Sequence, residues 1–340
     1  RVKPGIHTLL IQKEGFISYI SARKYKFGEK VSVNFKFQPE KSPTLSSEGG
    51  RLPTASADKN FLFFIDKNSA ISVMDLTNNS NASTALTNAV YPSARVLKVS
   101  KDKNFALVLD SEAIKIINFN RSDLVNQSEN KLPPMASAIH SISWNNHEST
   151  YFEQANSKIV YDLQSSSSWD IFLANLSHTS SNILMGVDSN RFPSISLDWG
   201  ENPSQVLVSG GELGLIDITK REYKKISSDK LFVWAKWGPS GKSAVAIDSE
   251  GGAWLYLNGQ LGKLPFSSSP GLIDYIDESN IGAVSSGRPI KYNFDSKQLI
   301  NYAEVKDLSR SISFITRSDV FYFETAQGIF SGRYEESGYK

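Results

Sequence analysis

The stretch Ala57-Asp-Lys-Asn-Phe-Leu-Phe-Phe-Ile-Asp-Lys-Asn-Ser-Ala-Ile-Ser-Val-Met-Asp75 contains two apolar runs, and each run follows a short polar turn. Both runs, Phe61–Ile65 and Ile71–Asp75, contain β-branched or aromatic residues, which favour β-strands when turn residues flank them. Asp and Asn suit the turns because they tolerate the left-handed backbone conformation. The stretch therefore predicts two β-strands joined by a tight turn.

The same order of turn, strand, turn and strand recurs along most of the chain. The first apolar strand of the successive units begins at residues that are 44, 44, 55, 39, 38 and 39 positions apart, namely Phe61, Phe105, Ser149, Ser204, Ser243, Ile281 and Val320. A period near 40 residues without helical periodicity is typical of β-propellers. A unit of this size cannot bury both faces of its own sheet, whereas radial packing of several units buries them.

These observations predict an all-β fold in which residues 51–340 form a β-propeller of seven blades, with six or eight blades as alternatives. The long step of 55 residues indicates extra chain, which we place in the serine-rich segment 165–190. The last unit is one strand short, so we expect the ring to close by pairing residues 51–57 with residues 310–334.

The first 50 residues have a different pattern. Residues 1–38 predict a partial β-sheet domain with strands over Ile6–Gln12, Phe16–Phe27 and Lys30–Gln38, because apolar residues alternate there between glycine turns. Residues 39–50 are rich in Pro, Ser and Gly and have no apolar periodicity, which predicts a linker.

Composition excludes several classes of function. The chain has no cysteine, which excludes disulfides, zinc–thiolate sites and cysteine nucleophiles. Its net charge is +2, and a nucleic-acid partner is not expected because neutralising phosphates needs a clustered basic excess. No run of about 18 apolar residues is present to span a membrane. Because the sequence starts at Arg1, we expect that a membrane tether can precede it.

The N-terminal residues resemble a known family. Pro4-Gly-Ile-His-Thr-Leu9, Lys13-Glu-Gly-Phe16 and Val31-Ser-Val-Asn-Phe35 follow the order of the second half of a PEGA domain, whose first half is absent here. The resemblance covers about a tenth of the chain. It implies an extracytoplasmic protein of the bacterial cell envelope, anchored to the membrane by a segment outside these residues.

Two of the repeat units resemble a propeller family. Trp199-Gly-Glu-Asn-Pro203 and Trp237-Gly-Pro-Ser-Gly-Lys242 are similar to the Trp-Ser-Pro-Asp-Gly-Lys turn of TolB-type and WD-like propellers. No unit has the Gly-His and Trp-Asp pairs of WD repeats. The resemblance therefore favours a bacterial TolB-like propeller over a cytosolic WD-repeat adaptor.

The sequence contains no convincing catalytic or metal-binding motif. Gly241-Lys242-Ser243 has the end of a phosphate-binding loop, but Lys236 stands where the first glycine belongs and a strand follows instead of a helix, so we predict a hairpin turn. A Gly-x-Ser-x-Gly pentapeptide is absent. We predict no metal site and no cofactor, because metal-ligand spacing is missing at His7, His140, His147 and His178. A Ser-His-Asp set or a carboxylate pair stays possible, since geometry defines both.

The tryptophans divide into two groups. Trp144, Trp199 and Trp237 occupy one shared position at the start of a unit's turn, which predicts packing between blades. Trp169 lies in the serine-rich segment, where we predict a long loop. Loops often carry recognition and tryptophan supplies a large contact area, so Trp169 is the one candidate binding residue. We assign no catalytic residue.

Three functions are compatible with the sequence. The first is a non-enzymatic scaffold of the bacterial envelope, whose propeller-face loops bind a protein or a cell-wall polymer. The second is a propeller glycosidase or lyase that acts on polysaccharide, which acids clustered in the central funnel would favour. The third is an intracellular adaptor. The fold alone does not choose between them.

Overall fold

A computed structural model describes residues 5–13, 16–26, 28, 43–77, 82–111, 113–119, 124–125, 138–144, 158–175, 181–200, 202–302, 304–305 and 307–334. Within these ranges the regular structure is β-strand, apart from 3₁₀ geometry at Ala138 and at Leu308–Arg310. No helix in these ranges is long and apolar enough to cross a membrane. The predicted all-β fold class is confirmed.

The N-terminal residues form an antiparallel hairpin of β1 (Gly5–Lys13) and β2 (Phe16–Tyr25), with Gly5 opposite Tyr25. The first two strands predicted for the PEGA-like segment are therefore confirmed. The third predicted strand, Lys30–Gln38, lies outside the described residues.

After β3 (Thr44–Glu48), the chain forms successive antiparallel sheets, which we number as units in chain order. Unit 1 contains β4 (Arg51–Ala55), β5 (Phe61–Ile65), β6 (Ile71–Asp75) and β7 (Ser83–Ala85). Unit 2 contains β8 (Val96–Val99), β9 (Phe105–Leu109), β10 (Ile114–Asn118) and β11 (Leu124–Val125). The predicted strand pairs of these units are confirmed.

Unit 3 corrects the predicted alignment. It contains β12 (Ile142–Trp144), β13 (Lys158–Gln164), β14 (Ser168–Asn175) and β15 (Ser181–Asp188). Strand β12 pairs directly with β13, so the additional residues of this unit lie at 145–157. The segment 165–190, predicted as an insertion, instead supplies the third and fourth strands of the sheet.

Units 4 and 5 share one long strand. Unit 4 contains β16 (Ser196–Asp198), β17 (Gln205–Ser209), β18 (Gly211–Asp217) and the first part of β19 (Glu222–Trp237). The second part of β19 begins unit 5, which continues with β20 (Ser243–Asp248), β21 (Gly252–Leu257) and β22 (Gln260–Ser267). Because this strand makes one continuous seven-stranded sheet, a blade count of seven depends on dividing the sheet and stays a prediction.

The last two units complete the ring. Unit 6 contains β23 (Ile273–Tyr275), β24 (Asn280–Ser285), β25 (Arg288–Asn293) and β26 (Gln298–Asn301). Unit 7 contains β27 (Ser313–Arg317), β28 (Val320–Thr325) and β29 (Gly328–Arg333), and β3 adds the fourth strand.

The pairing of β29 with β3 confirms that the last unit is shared between the two ends of the chain. It also corrects two details of the prediction. The closing strand is Thr44–Glu48 instead of residues 51–57, which begin unit 1. The predicted linker at residues 39–50 therefore contains a strand of the propeller.

Aspartates at the ends of apolar strands build several of the hairpin turns. Asp66 Oδ1 accepts the backbone N–H of Ala70 at 3.1 Å, and Asp110 Oδ1 accepts that of Ala113 at 2.8 Å. Asp248 Oδ1 makes the equivalent bond in unit 5. Side chains of this length can bond to nearby backbone groups and so hold a turn. The apolar run followed by Asp is thus a turn signal.

The core lies between neighbouring units, as predicted. One cluster joins Leu107 of unit 2 to Tyr161 of unit 3, and another joins Phe64 of unit 1 to Tyr322 of unit 7. Each sheet therefore buries its apolar faces against its neighbours, and the association of units supplies most of the hydrophobic stabilisation.

The shared tryptophans pack between units, which confirms their predicted role. Trp144, Trp199 and Trp237 are buried, and the glycine after Trp199 admits the next tryptophan. A Cβ atom on Gly200 would lie 2.7 Å from the Cβ of Trp237, closer than real side chains approach. The Trp-Gly pair is therefore a packing motif in which each glycine leaves room for the aromatic residue of the following unit.

Candidate binding site in the central cavity

The first strand of every unit contributes to one cavity of about 360 Å³. Its lining includes a residue near the end of each of these strands, so the cavity lies where the first strands of the units converge. We call it the central cavity, and its lining residues include Thr54, Lys98, Ser143, Asp198, Lys236, Asp274 and Phe314.

Most polar residues of this lining join one unit to the next. Ser143 Oγ accepts the backbone N–H of Trp199 at 2.8 Å, and Asp198 Oδ2 accepts that of Trp237 at 2.8 Å. Asp274 Oδ2 likewise accepts the N–H of the first strand in unit 7, at 3.2 Å. These side chains satisfy backbone donors that the central cavity would otherwise leave unpaired, which is a structural role.

Asp274 is the centre of a small charged network. Its Oδ2 accepts a hydrogen bond from Lys59 Nζ at 2.6 Å, and its Oδ1 accepts one from Lys236 Nζ at 2.8 Å. Lys59 comes from the turn between β4 and β5, and it also donates to the carbonyl oxygens of Tyr275 and Thr316. One lysine thus connects unit 1 with units 6 and 7.

The charges in this network shift one another's pKa. Burial alone raises the pKa of Asp274, but the Lys236 and Lys59 ammonium groups outweigh it and lower the pKa to about 2. Burial lowers the pKa of Lys59 in spite of its bond to Asp274. Burial also tends to lower the pKa of Lys236, but the Asp274 carboxylate outweighs this effect and raises the pKa of that lysine.

Lys98 occupies in unit 2 the strand position that Lys236 and Asp274 occupy in units 5 and 6. It differs from these two residues in its bonding. Within the described part of the chain, its ammonium group has no hydrogen bond and no ion pair. Burial lowers the pKa of Lys98, the Asp198 carboxylate raises it, and the nearby Lys236 ammonium lowers it further. Lys98 is therefore a partly buried lysine that faces the central cavity and has no bonded partner among the described residues.

A second titratable pair lies outside the central cavity. His140 Nδ1 is 3.3 Å from Asp162 Oδ2, and Asp162 is fully buried. Burial raises the pKa of Asp162. The neighbouring Ser141 hydroxyl accepts the backbone N–H of Leu197 at 2.8 Å. No bond between that hydroxyl and His140 is present, so these residues do not form the nucleophile–base pair of a hydrolase.

The remaining sequence motifs have structural explanations. Gly241 lies in a hairpin turn with φ of +67° and donates its N–H to the Gly238 carbonyl, after which strand β20 begins at Ser243. The predicted hairpin at this phosphate-loop-like sequence is confirmed. In the portion of the chain that the structure describes, no cluster of three or more His, Asp or Glu residues is positioned to hold a metal.

The structure corrects the placement of Trp169. It lies on strand β14 instead of a long loop, and only 3% of it is exposed. Its indole N–H donates to the Phe192 carbonyl at 2.7 Å, and its ring packs edge-on against His140. Trp169 is therefore a buried strand residue and not an exposed loop residue, and a binding role for it stays an untested prediction.

The sequence analysis missed the charged residues of the central cavity. A signal was present, because Ser143, Asp198, Lys236 and Asp274 each directly precede the aromatic residue at the end of a unit's first strand. A polar residue repeated at that position points toward the propeller axis. Aligning the units on the aromatic residue would have brought these side chains together.

Two solved structures are similar to this chain. The β-propeller domain of Cps50 (Swd1) from Myceliophteria thermophila has a TM-score of 0.60 and 11% identity, with 85% of this chain and 97% of that chain covered. An oligogalacturonate lyase in complex with manganese has a TM-score of 0.63 and 9% identity, with 98% of this chain and 97% of that chain covered. At these identities the likeness supports the β-propeller fold alone.

No protein-family model matches this chain, and no curated protein is similar enough in sequence to count as a relative. The resemblance of residues 4–38 to a PEGA domain therefore rests on its short sequence motif alone and stays a prediction.

Proposed function

We propose that this chain is a non-enzymatic binding protein that uses the propeller face around the central cavity to hold a protein partner. The observation that carries the proposal is the unpaired Lys98 in a recess that seven units build together. A volume of about 360 Å³ is at the small end for a ligand site. It suits a protruding side chain better than a polymer, which needs an open groove.

The electrostatics of the central cavity support binding over glycoside hydrolysis. A glycosidase needs one carboxylic acid whose pKa is raised so that it can protonate the leaving group. Asp274 has the opposite shift, with a pKa lowered to about 2 by its two lysines. Asp198 accepts the backbone N–H of Trp237, which is a bond between two units. The carboxylates of the central cavity are thus arranged to hold the ring together.

We further place the protein in the bacterial cell envelope, outside the cytoplasm, with a membrane tether beyond these residues. The support is the PEGA-like sequence motif of residues 4–38. A stretch of about 20 apolar residues preceding Arg1 in the full gene product would support this location. Its absence would favour the intracellular adaptor instead.

Site-specific cross-linking tests the binding role. A photo-reactive amino acid at Ala57 or Pro239, which are exposed and border the central cavity, is compared with one at Thr84 on the outermost strand of unit 1. With isolated envelopes, we expect a discrete protein adduct from the two cavity positions and none from Thr84. Adducts with polysaccharide alone, or identical adducts at all three positions, would contradict the proposal.

One observation favours a second function, a polysaccharide lyase. A lyase needs a base that removes the proton next to a sugar carboxylate while the bond to the leaving oxygen breaks and a carbon–carbon double bond forms. Lys98 has a lowered pKa and no ion pair, which suits a base. Incubation of the purified chain with polygalacturonate tests this function, because each cleavage creates an unsaturated sugar end whose conjugated carboxylate absorbs ultraviolet light. We expect no increase in absorbance.

A further inference from the structure

We propose that Lys98 is the anion-binding residue of the central cavity and that it binds a carboxylate from an acidic segment of the protein partner. This inference rests on the proposed function and adds the chemistry of the group that enters the cavity. It follows from three observations on the lining residues: which lysines are already paired, how the charges balance, and which cationic side chains are absent.

The pairing of the lysines singles out Lys98. Lys59 and Lys236 both donate to the carboxylate of Asp274, at 2.6 and 2.8 Å. Lys98 makes no hydrogen bond or ion pair with any residue that the structure describes. It also makes none of the bonds between units that Ser143 and Asp198 make from equivalent strands. Its ammonium group is therefore not needed to hold the ring together.

The charge balance of the lining leaves one positive charge. Three lysines and two aspartates line the central cavity, so the formal charge is +1 when all are ionised. Asp198 attracts Lys98 electrostatically, but one of its carboxylate oxygens already accepts the backbone N–H of Trp237. A single carboxylate entering the cavity would neutralise the excess and give Lys98 a bonded counter-ion.

The depth of Lys98 increases what an incoming anion gains. Lys98 is partly buried, and burial lowers its pKa because an ammonium group in the cavity has less water around it than one on the open surface. A charge-assisted hydrogen bond in such surroundings is stronger than a neutral one. An anion that hydrogen-bonds to Lys98 therefore stabilises an ammonium group that water stabilises only in part.

The lining favours a carboxylate over a phosphate. No arginine lines the central cavity, and arginine is the side chain whose fork matches the oxygens of a phosphate. A phosphate also carries more than one negative charge, whereas the cavity has an excess of only one. A glutamate or aspartate side chain has the required charge and is narrow enough to enter.

Binding of a fluorescent hexaglutamate peptide tests the proposal, with hexaglutamine as the uncharged control and fluorescence anisotropy as the readout. We expect wild type to bind hexaglutamate and not hexaglutamine. Lys98→Met should weaken binding about tenfold or more, as expected for losing a hydrogen bond between charged groups. Lys98→Arg should retain most of the affinity. Lys230→Met removes a lysine that pairs with Glu250 outside the cavity, and it should have no effect.

Thermal unfolding separates binding from folding in this experiment. Because Lys98 makes no bond within the described residues, Lys98→Met should melt within a few degrees of wild type. Unchanged hexaglutamate affinity in a folded Lys98→Met protein would overturn the proposal, while cavity-specific protein adducts would leave the proposed function standing. Two further results would also overturn it: glutarate binding as tightly as the peptide, or tighter Lys98-dependent binding of polygalacturonate, which would assign the carboxylate to a free acid or a polymer.

Discussion

Replacing Asp274 by asparagine removes the negative charge from a buried carboxylate that holds two lysines and one backbone N–H. The asparagine side chain has nearly the same size and keeps one oxygen acceptor, so packing around it changes little. The ammonium groups of Lys59 and Lys236 both lose their counter-ion. The perturbation therefore concerns charge far more than shape.

The structure sets the size of the expected effect. Removing one partner of a buried ion pair destabilises a protein by roughly 3–5 kcal/mol, because the other charge stays buried without compensation. The Lys59 side chain is 20% exposed and fits that description, but Lys236 is 43% exposed and water screens much of its charge. We therefore expect Asp274→Asn to lower the free energy of unfolding by about 3 kcal/mol at pH 7.

Urea denaturation measures this change, with Glu250→Gln as the control. Glu250 pairs with Lys230 on the surface, so its substitution should leave the free energy of unfolding nearly unchanged. If Asp274→Asn is as stable as Glu250→Gln, the network of the central cavity does not stabilise the ring and our reasoning is refuted.

The effect should also depend on pH in a defined direction. The pKa of Asp274 is lowered to about 2 in the folded protein, whereas an unfolded aspartate has a pKa of about 3.9. The stabilisation from ionised Asp274 is therefore complete above about pH 4–5 and declines as the pH falls toward the folded pKa. The difference between wild type and Asp274→Asn should shrink over that window. A difference that stays constant from pH 5 to about pH 2 would show that its origin is not the carboxylate charge.

Three other predictions follow from packing and closure. Gly200→Ala places a Cβ atom against Trp237 and should destabilise the protein by about 1–3 kcal/mol, whereas Gly262→Ala, where a Cβ meets nothing within 4 Å, should be nearly neutral in thermal melts. Trp169→Phe loses a buried hydrogen bond and should lower stability by about 1–3 kcal/mol without weakening hexaglutamate binding, and weaker binding at equal folding would restore its recognition role. Replacing Thr44–Glu48 with a Gly-Ser segment of equal length should lower stability by at least about 2 kcal/mol in urea, and unchanged stability would show that this strand does not close the ring.

The repeated strands were predictable because their signal is local. Phe105–Leu109, for example, is entirely apolar, stands between turn residues, and recurs at a nearly fixed distance in other units. A strand that is buried on both faces needs no partner information to be recognised in a sequence. The turns were predictable for the same reason, because Asp bonds to backbone groups a few residues away and Gly permits the positive φ that a turn needs.

The errors arose where the information is not local. Thr44–Glu48 is an edge strand with partly exposed residues and one large apolar side chain, so its sequence resembles a linker. Its partner lies at the other end of the chain. Trp169 was misplaced because the additional residues of unit 3 were assigned to the segment 165–190, which instead supplies strands β14 and β15. In both cases the strand was recognisable only from its partner.

The candidate site was also beyond sequence reasoning for a physical reason. Whether a lysine is free or paired depends on which carboxylate it reaches, and Lys59 reaches one that is 215 residues away. The residues around Lys59 and Lys98 do not indicate which of the two lysines reaches a carboxylate. The repeated polar position before each aromatic residue predicts that side chains meet at the axis, but it does not predict which of them stays unpaired.

The shared last unit has a consequence for how the chain acquires its shape during synthesis. Strand β3 emerges from the ribosome early, yet its partner β29 is made almost 300 residues later (roughly the separation of the two strands). Until then, the backbone N–H and C=O groups of β3 have no partner strand, and they can pair with a strand of another chain. The units between them can assemble in order as they emerge, but the ring is completed only after β29 has been made. Truncated products therefore lack the final partner and are the species most exposed to aggregation and proteolysis.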